Sequence, residues 1–461
     1  MQHDRSFKVK RTLFFLILFF IYGLVSFHRN CPTIVVENMA KDWNCQTADL
    51  ALFGSIFFYS YGVMQIFAGL LSDIMEPAFL IGGSQLICAI GSIICGLATK
   101  PAYGTIGRLL VGLGCGPVYV PICRCMANWF DLKWYPTLSG VLIVIGGLGG
   151  LLASRPLQML TTALGWKNTF HLFGSITGGL SILCIIVVRG NPTTLGYKPV
   201  NLETSDTTSD ETLKMKLIQL KDNILVILKK PGYYLISLYS LLANGPYYNT
   251  AALWGKQIVR DVFKYSAMDA SNALITNSVG VMVAAIILPF ASDHLHSRKW
   301  VLFFISVLGG LAHLWAFIAG ENLKKWAVYT IFAVIGFTTL PATSVCYPLL
   351  REYFHASVAG SAIGCANFVA FIFSGLYQSL SSAIVKSYGE TSPNVYTVKG
   401  FKIGFWMLGM IYMFFGGFIA AILKDSEFIS TKKKVNLELQ KSLLGETSDI
   451  QSMDEMSNKL I

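Results

Sequence analysis

The stretch GLLSD at residues 69–73 closes an apolar run that begins near Ala48, and another apolar run starts at about Ala78. A comparable stretch, PFASD at residues 289–293, closes a much later apolar run. The same Ser-Asp pair therefore follows an apolar run in each half of the chain. This repetition predicts a duplicated membrane protein.

The composition supports that prediction. Of the 461 residues, 54% are hydrophobic and only 13% are charged, whereas a soluble protein is about a quarter charged. The mean hydropathy is +0.56. The formal net charge of +11 does not indicate nucleic-acid binding, because the basic residues lie between apolar runs and in the tails, as in cytoplasmic loops.

The sequence lacks the motifs of enzymes and ATP-driven pumps. Its ten cysteines form no CxxC pair and no Cys/His cluster with metal-ligand spacing, so we predict neither a metal site nor a cofactor. No Gly-x-x-x-x-Gly-Lys-[Ser/Thr] loop is present, which disfavours an ATP-driven pump. No nucleophile, base and metal set converges either, and we therefore do not expect an enzyme.

Apolar runs long enough to cross a bilayer, about 20 residues each, recur twelve times. They lie at about 13–36, 48–70, 78–98, 103–123, 137–159, 170–188, 233–254, 270–291, 300–319, 326–348, 358–382 and 401–423. Short loops join the first six and the last six, and one long polar insert separates the two sets. The sequence thus predicts an all-α membrane protein with twelve transmembrane helices in two pseudo-symmetric six-helix bundles, residues 13–188 and 233–423.

Basic residues set the expected orientation. They are concentrated in the tail 1–12, the insert 189–232 and the tail 424–461, which share one side when the number of spans is even. The positive-inside rule places that side, and both termini, in the cytoplasm.

Apolar residues at helical spacing from Leu213 to Ile227 predict an amphipathic helix, which lies either on the membrane surface or against the inner loops. The last tail is expected to be disordered.

Four motifs resemble those of the major facilitator superfamily of transporters. They are the Gly-x-Leu-Ser-Asp signature (69–73), an Arg-and-glycine motif in the fourth span (107–116), Asn128-Trp129-Phe130, and Ser292-Asp293 followed by Arg298 and Lys299. The resemblance covers about residues 13–423. It implies the fold of that family and transport by alternating access.

In the family, the loop after the second span latches the two halves together on the inner side. The resemblance implies this role for Gly69 and Asp73 and, in the second copy, for Asp293 and Arg298. The first copy departs from the family, because Ile-Met-Glu-Pro follows Asp73 in place of basic residues and a glycine. An ordinary solvated aspartate is the alternative for Asp73. Its candidate partners are Arg124 and Lys133.

Ionisable residues inside a span are costly unless paired or wet, so each is a functional candidate. By the expected topology Arg29, Arg108 and Arg155 lie in the outer parts of spans that adjoin in the family fold. With His28 they are expected to share one outer vestibule, for which Glu37 is the best counter-ion. A cationic cavity with few acids predicts a substrate with a carboxylate or other anionic group. Alternatively, Arg29 and Arg155 reach the outer surface and Arg108 is a structural hub.

Neutral polar residues complete the candidate substrate site. The seventh span is broken at Gly245-Pro246, and a broken helix at depth is tolerated where it lines a cavity. Other polar residues lie where the chain resembles a largely microbial branch of the superfamily, in the second and eleventh spans. The neutral candidates are Tyr61, Gln65, Tyr239, Asn244, Tyr247, Asn367 and Gln378.

These observations predict a secondary active or facilitative transporter that moves a small anionic solute by rocking two bundles. The alternative is a transporter-like receptor that senses such a solute. Expected partners are the solute, the bilayer and, where transport is coupled, a proton or ion; we expect no nucleic acid, and a monomer. No acid lies well inside a span, so His28 or His171 would carry a coupling proton. Facilitated diffusion or exchange is equally open.

Overall fold

The structure, a computed structural model, describes residues 5–131, 134–200, 213–354, 356–392 and 394–425. The helices of the first half are α1 (Arg5–Asn30), α2 (Pro32–Asp42), α3 (Ala51–Ile74), α4 (Pro77–Leu97), α5 (Pro101–Cys115), α6 (Tyr119–Trp129), α7 (Tyr135–Leu152), α8 (Arg155–Leu164) and α9 (Trp166–Val187). A connecting helix, α10 (Leu213–Leu228), leads to the second half.

The second half is also almost wholly helical. Its elements are α11 (Pro231–Asn249), α12 (Gly255–Asp261), α13 (Ala267–His294), α14 (Arg298–Ala319), α15 (Lys325–Thr338), α16 (Thr343–Tyr353), α17 (Ala356–Ser387), the strands β1 (Glu390–Ser392) and β2 (Val395–Tyr396), α18 (Val398–Phe401) and α19 (Leu408–Ile422). The two strands pair in antiparallel fashion as a short hairpin between α17 and α18.

Eleven helices of the described chain are long and apolar enough to cross a membrane. The predicted run 233–254 is not among them, since tyrosine, asparagine, glycine and proline make up much of α11. This helix nevertheless packs along α17 and α19 and is mostly buried, so it completes the set of twelve. The predicted all-α membrane fold, with twelve spans in two halves, is therefore confirmed.

Short irregular turns interrupt corresponding spans of the two halves. The turn Gly116–Val118 separates α5 from α6, and the turn Leu340–Ala342 separates α15 from α16. Each contains a proline, which lacks the N–H group that would continue the helix. In the seventh span Pro246 is followed by a π-helical turn, Thr250–Trp254. Such turns in long helices are frequent at functional sites.

The first span is longer than its apolar run. α1 begins at Arg5, and after Cys31 the helical path continues as α2 to Asp42. The predicted run 13–36 therefore lies well inside the helical path at both ends. This extension determines the depth of Arg29.

Glycines permit the closest helix contacts. A Cβ atom on Gly112 of α5 would lie 2.5 Å from the carbonyl oxygen of Phe57 in α3. No side chain fits there, so the two backbones touch, as is usual where small residues meet in membrane helices. Across the halves, α3 packs along α17 and α7 packs along α13.

We call the end that carries Arg5 and Asp425 the termini end, and the opposite end the far end. At the far end the β1–β2 hairpin of the second half binds the first half. Asn394 Oδ1 and the Tyr396 hydroxyl accept 2.8 Å hydrogen bonds from the backbone N–H groups of residues 47 and 48, respectively. Lys386 forms an ion pair with Asp49. The halves are thus held together at the far end.

Candidate functional site

Arg29 lies between the two halves, in the middle of the molecule. It is the penultimate residue of α1, and its Nη1 atom donates a 3.1 Å hydrogen bond to the hydroxyl of Tyr248 in α11. The ring centroids of Tyr61 in α3 and Phe371 in α17 lie 4.8 and 5.4 Å from its Cζ atom. Both residues are near the middle of their helices. We call Tyr61, Tyr248 and Phe371 the Arg29 cage.

The cage leaves the positive charge without a carboxylate. Arg29 is only 8% exposed, and its Nε atom has no hydrogen-bond partner in the part of the chain that the structure describes. Within the described residues, no ion pair joins it to an acid. An unpaired arginine inside a membrane costs about 3 kcal/mol or more, whereas a cation–π contact contributes about 0.5–2 kcal/mol. The site is therefore chemically suited to an anion that supplies the missing charge.

Polar side chains flank the cage on both sides. Toward the termini end, Gln65 donates a 3.1 Å hydrogen bond to the carbonyl of the α5–α6 turn, and its Oε1 atom lies 3.4 Å from Asn367 Nδ2. Toward the far end, Gln378 donates a 2.9 Å hydrogen bond to the Tyr248 carbonyl, and no described residue donates to its Oε1 atom. Tyr247 packs edge-on against Tyr248, with ring centroids 4.8 Å apart. The structure thus brings together Arg29, Tyr61, Gln65, Tyr247, Asn367 and Gln378.

Arg108 and His28 lie away from the cage, in the core of the first half. Arg108 is fully buried, and its Nη1 atom donates a 2.6 Å hydrogen bond to the carbonyl of His28. Its Cζ atom lies 4.8 Å from the ring centroid of Phe57. The His28 ring faces the other way, 2.9 Å from the hydroxyl of Thr177 in α9. These contacts tie α1, α3, α5 and α9 together, while Arg108 Nε and Nη2 have no hydrogen-bond partner among the described residues. The role of Arg108 stays a prediction.

Three other candidates are also apart from the cage. Arg155 is exposed at the start of α8, and its Nη1 atom lies 3.5 Å from Asn272 Oδ1 in α13. The Tyr239 hydroxyl donates a 3.0 Å hydrogen bond to the Leu302 carbonyl in α14. Asn244 donates a 2.7 Å hydrogen bond to a carbonyl of its own helix.

The expected common vestibule of Arg29, Arg108 and Arg155 is therefore wrong. α2 prolongs the first span to Asp42, so Arg29 is deeper than an outer position would be. Glu37 is not their counter-ion either, since it pairs with Lys256 and Arg260 of the second half.

Comparison with known proteins agrees with this architecture. The profile of the Major Facilitator Superfamily matches residues 18–377. The chain belongs to the major facilitator superfamily. It is thus a multi-pass membrane protein of a transporter family, as predicted, and not an enzyme.

Two relatives are each about one-fifth identical to the chain. The chain is 20% identical over 384 residues to a probable hexose phosphate transport protein of Chlamydia pneumoniae, covering 80% of this chain and 83% of that protein. It is 22% identical over 396 residues to the membrane sensor protein UhpC of Escherichia coli (strain K12), covering 81% and 85%. A solved structure with a similar fold is a bacterial homologue of the human lysosomal transporter Spinster, inward-facing and unoccupied. It has a TM-score of 0.67 and 16% identity, and the match covers 91% of this chain and 96% of that one.

The second copy of the superfamily signature forms an ionic network within its own half. Arg298 Nη2 lies 3.5 Å from Asp293 and 2.6 Å from Glu352. Asp425 accepts hydrogen bonds of 2.8 and 3.1 Å from the backbone N–H groups of Arg298 and Lys299. These contacts join the termini ends of α13, α14 and α16. A latch between the halves stays a prediction.

In the first copy of this superfamily signature, Glu76 replaces the usual basic residues. Its carboxylate accepts hydrogen bonds from the N–H groups of Ala78 and Phe79, at 2.8 and 3.2 Å, and so caps α4. Arg124 donates to the Ser72 carbonyl, and Gly69 has open space around its Cα atom. The side chains of Asp73 and Lys133 lie outside the described part of the chain.

Two parts of the site in this superfamily member show little signal in the sequence. Phe371 lies within an apolar run, where one more aromatic residue carries no signal. Lys256 and Arg260 lie just past the predicted span 233–254, and their spacing of four residues places them on one face of a helix. That spacing was the available clue to the ion cluster with Glu37.

Proposed function

We propose that this protein is a secondary transporter that carries a small organic anion by alternating access, with Arg29 as the residue that binds the anionic group. The observation that carries the proposal is the buried guanidinium in its aromatic cage, with no acid paired to it among the described residues. Its planar array of N–H donors matches two oxygens of a carboxylate or a phosphate. The cage rings would pack against the organic part of the solute.

The position of Arg29 suits transport. In transporters of this kind the substrate binds near the bilayer midplane, between two halves that rock around it. The Arg29 cage draws side chains from both halves, so an anion bound there contacts both of them. Gln65 and Asn367 on one side and Gln378 on the other supply further hydrogen bonds along a path toward each end.

The names of the relatives agree with an anionic solute, since a hexose phosphate is an anion. The bias of basic residues supports a cytoplasmic position for both termini, with the far end facing away from the cytoplasm. The described conformation is then one in which the far end is closed. A second candidate function, sensing without transport, is favoured by the likeness to a membrane sensor protein.

Uptake into proteoliposomes tests the proposal. We expect saturable uptake of labelled anions, drawn from hexose phosphates and small carboxylates, and no uptake of the matched uncharged hexose. Arg29→Gln is expected to abolish it, while Arg155→Gln, at an exposed arginine outside the cage, retains it. Binding without uptake would support a sensor. Uptake that survives Arg29→Gln unchanged would refute the assigned role.

A further inference from the structure

A second cationic site lies between the halves, toward the far end. Lys256 and Arg260 of α12 both face α2 of the first half. The Lys256 Nζ atom donates a 2.9 Å hydrogen bond to the Ile34 carbonyl and lies 3.6 Å from Glu37 Oε2. Arg260 pairs directly with the same Glu37 oxygen. Lys256 is 2% exposed and Glu37 is 8% exposed, so one buried carboxylate is shared by two cations.

The acid of α12 itself, Asp261, is hydrogen-bonded to other groups and does not pair with Lys256 or Arg260 among the described ion pairs. Asp261 accepts 3.2 Å hydrogen bonds from the Gln257 side chain and from the backbone N–H of Tyr396 in the hairpin. Both donors belong to the second half and would move with Asp261. Glu37 belongs to the first half. Separation of the halves at the far end therefore leaves Lys256 and Arg260 facing the opening without their carboxylate.

This cationic pair is in line with the Arg29 cage. Glu37 follows Arg29 by eight residues and Lys256 follows Tyr248 by eight residues, which is about 12 Å along a helix at 1.5 Å per residue. Between the two levels, the Thr33 hydroxyl donates a 3.1 Å hydrogen bond to the Leu253 carbonyl across the same interface. The cationic pair and the Arg29 cage therefore lie along the same interface between the halves.

We infer that Lys256 and Arg260 form a second anion-binding subsite, which opens when the halves part at the far end, and that Glu37 is a built-in carboxylate that occupies it when they close. The inference rests on the proposed function, because the ligand is the anionic group of the same solute. The solute's carboxylate or phosphate takes the position of the Glu37 carboxylate. Release of the solute and return of Glu37 then close the far end.

The electrostatic part of the inference is tested by labelling an introduced thiol. Thr33→Cys, in a Cys45→Ser background, places a thiol that is exposed only when the halves part. Its reaction rates are measured with two methanethiosulfonate reagents, one with an anionic sulfonate and one with a cationic trimethylammonium group. Both reagents sense the same opening, so the ratio of the two rates reports the local potential. The protein without the introduced thiol gives the background rate.

We expect Lys256→Met combined with Arg260→Gln to lower the anionic-to-cationic rate ratio about threefold to tenfold, since the reporter then loses two nearby positive charges in a partly screened site. Glu37→Gln is expected to raise the ratio. Arg260→Lys preserves the charge and should leave the ratio near its original value, which separates loss of charge from misfolding. Asn322→Cys, exposed on another loop, should show no change in ratio with any of these variants.

Protection by an anion tests the binding itself. In an Arg29→Gln background, inorganic phosphate is expected to slow labelling of the Thr33→Cys thiol by uncharged N-ethylmaleimide. The protection should disappear when Lys256→Met and Arg260→Gln are added. If both rates rise in the charge variants with no change in their ratio, and phosphate gives no protection, the cluster is only a mechanical clamp and the inference is overturned. Because Arg29 is absent from this test, its outcome does not depend on the role proposed for Arg29.

Discussion

Arg29 in the first half and Tyr248 in the second are joined by a single 3.1 Å hydrogen bond at the centre of the molecule. The bond crosses the interface along which the halves of this fold move. An anion that binds Arg29 competes with this bond or extends it. In the proposed function, occupancy of the site would thereby be coupled to the relative position of the two halves.

Removal of the Tyr248 hydroxyl tests this coupling. Tyr248→Phe keeps the ring but leaves a buried guanidinium N–H without an acceptor, which costs about 1–3 kcal/mol. We expect a lower unfolding temperature without ligand and a larger rise when an anion binds. In a double-mutant cycle with Arg29→Gln, the two effects should not add, because both remove the same interaction. If the losses of stability in the two single variants add up to the loss in the double variant, Arg29 and Tyr248 do not interact.

The hairpin contact is expected to hold the far end closed. Tyr396→Phe removes the hydroxyl that accepts a 2.8 Å hydrogen bond from Ala48 N, a loss of about 0.5–1.5 kcal/mol. The Thr33→Cys thiol should then react about two to ten times faster with uncharged N-ethylmaleimide, as that free energy implies. Tyr388→Phe, at an exposed tyrosine near the hairpin, is the matched control. Equal rates in both variants would contradict a closing role for Tyr396.

Asp261 gives a pH dependence of known sign. It lies past the apolar run 233–254, and burial raises its pKa from 3.8 to about 6, although the hydrogen bonds from Tyr396 N and the Gln257 side chain lower it. Glu37 adds a smaller upward effect and Arg260 a smaller downward one. The folded protein therefore binds more protons than the unfolded chain between these two values, so its contribution to stability falls as the pH rises through that window.

Asp261→Asn removes this titration and leaves an oxygen to accept from Tyr396 N. We expect the unfolding temperature of the variant, relative to the parent, to be higher at about pH 7 than at about pH 4. Thermal unfolding at a series of pH values measures the difference. A constant offset between the two proteins would mean that Asp261 does not titrate in this range.

Close packing at Gly112 predicts intolerance to a methyl group. In Gly112→Ala the Cβ atom would lie 2.5 Å from the Phe57 carbonyl oxygen, and overpacking of this kind costs about 1–3 kcal/mol. Gly179→Ala in α9 is the control, because a Cβ atom there has nothing within 4 Å. We expect the unfolding temperature to fall in Gly112→Ala and to stay at the parent value in Gly179→Ala. Equal stability of the two variants would show that α3 and α5 can move apart at no cost.

Apolar runs and the repeated Ser-Asp pair were sufficient to predict the twelve spans and the two halves. Both signals are local, because each span shows in about 20 consecutive residues. The depth of Arg29 in the membrane was harder to predict. The predicted run 13–36 places Arg29 in the outer part of the first span, yet α2 carries the helical path on to Asp42, and Arg29 contacts Tyr61 and Phe371 near the middle of their helices.

Partners across the halves could not be predicted from local patterns. Glu37 was matched with arginines of its own half, whereas it pairs with Lys256 and Arg260, more than 200 residues away in the sequence. Helical periodicity states which residues share a face, but not which helix that face meets. The same reason explains why Phe371 was missed as a neighbour of Arg29.

The central claim is that the buried Arg29 guanidinium binds the anionic group of the solute. Equilibrium binding of a labelled hexose phosphate to the purified protein tests it most directly, with the unlabelled phosphate and the uncharged hexose as competitors. We predict that only the phosphate competes, that Arg29→Gln weakens binding at least about a hundredfold, as expected for loss of a charge-assisted pair of about 3 kcal/mol, and that Arg155→Gln binds as the parent does. Equal affinity of Arg29→Gln and the parent protein for the phosphate would contradict the claim.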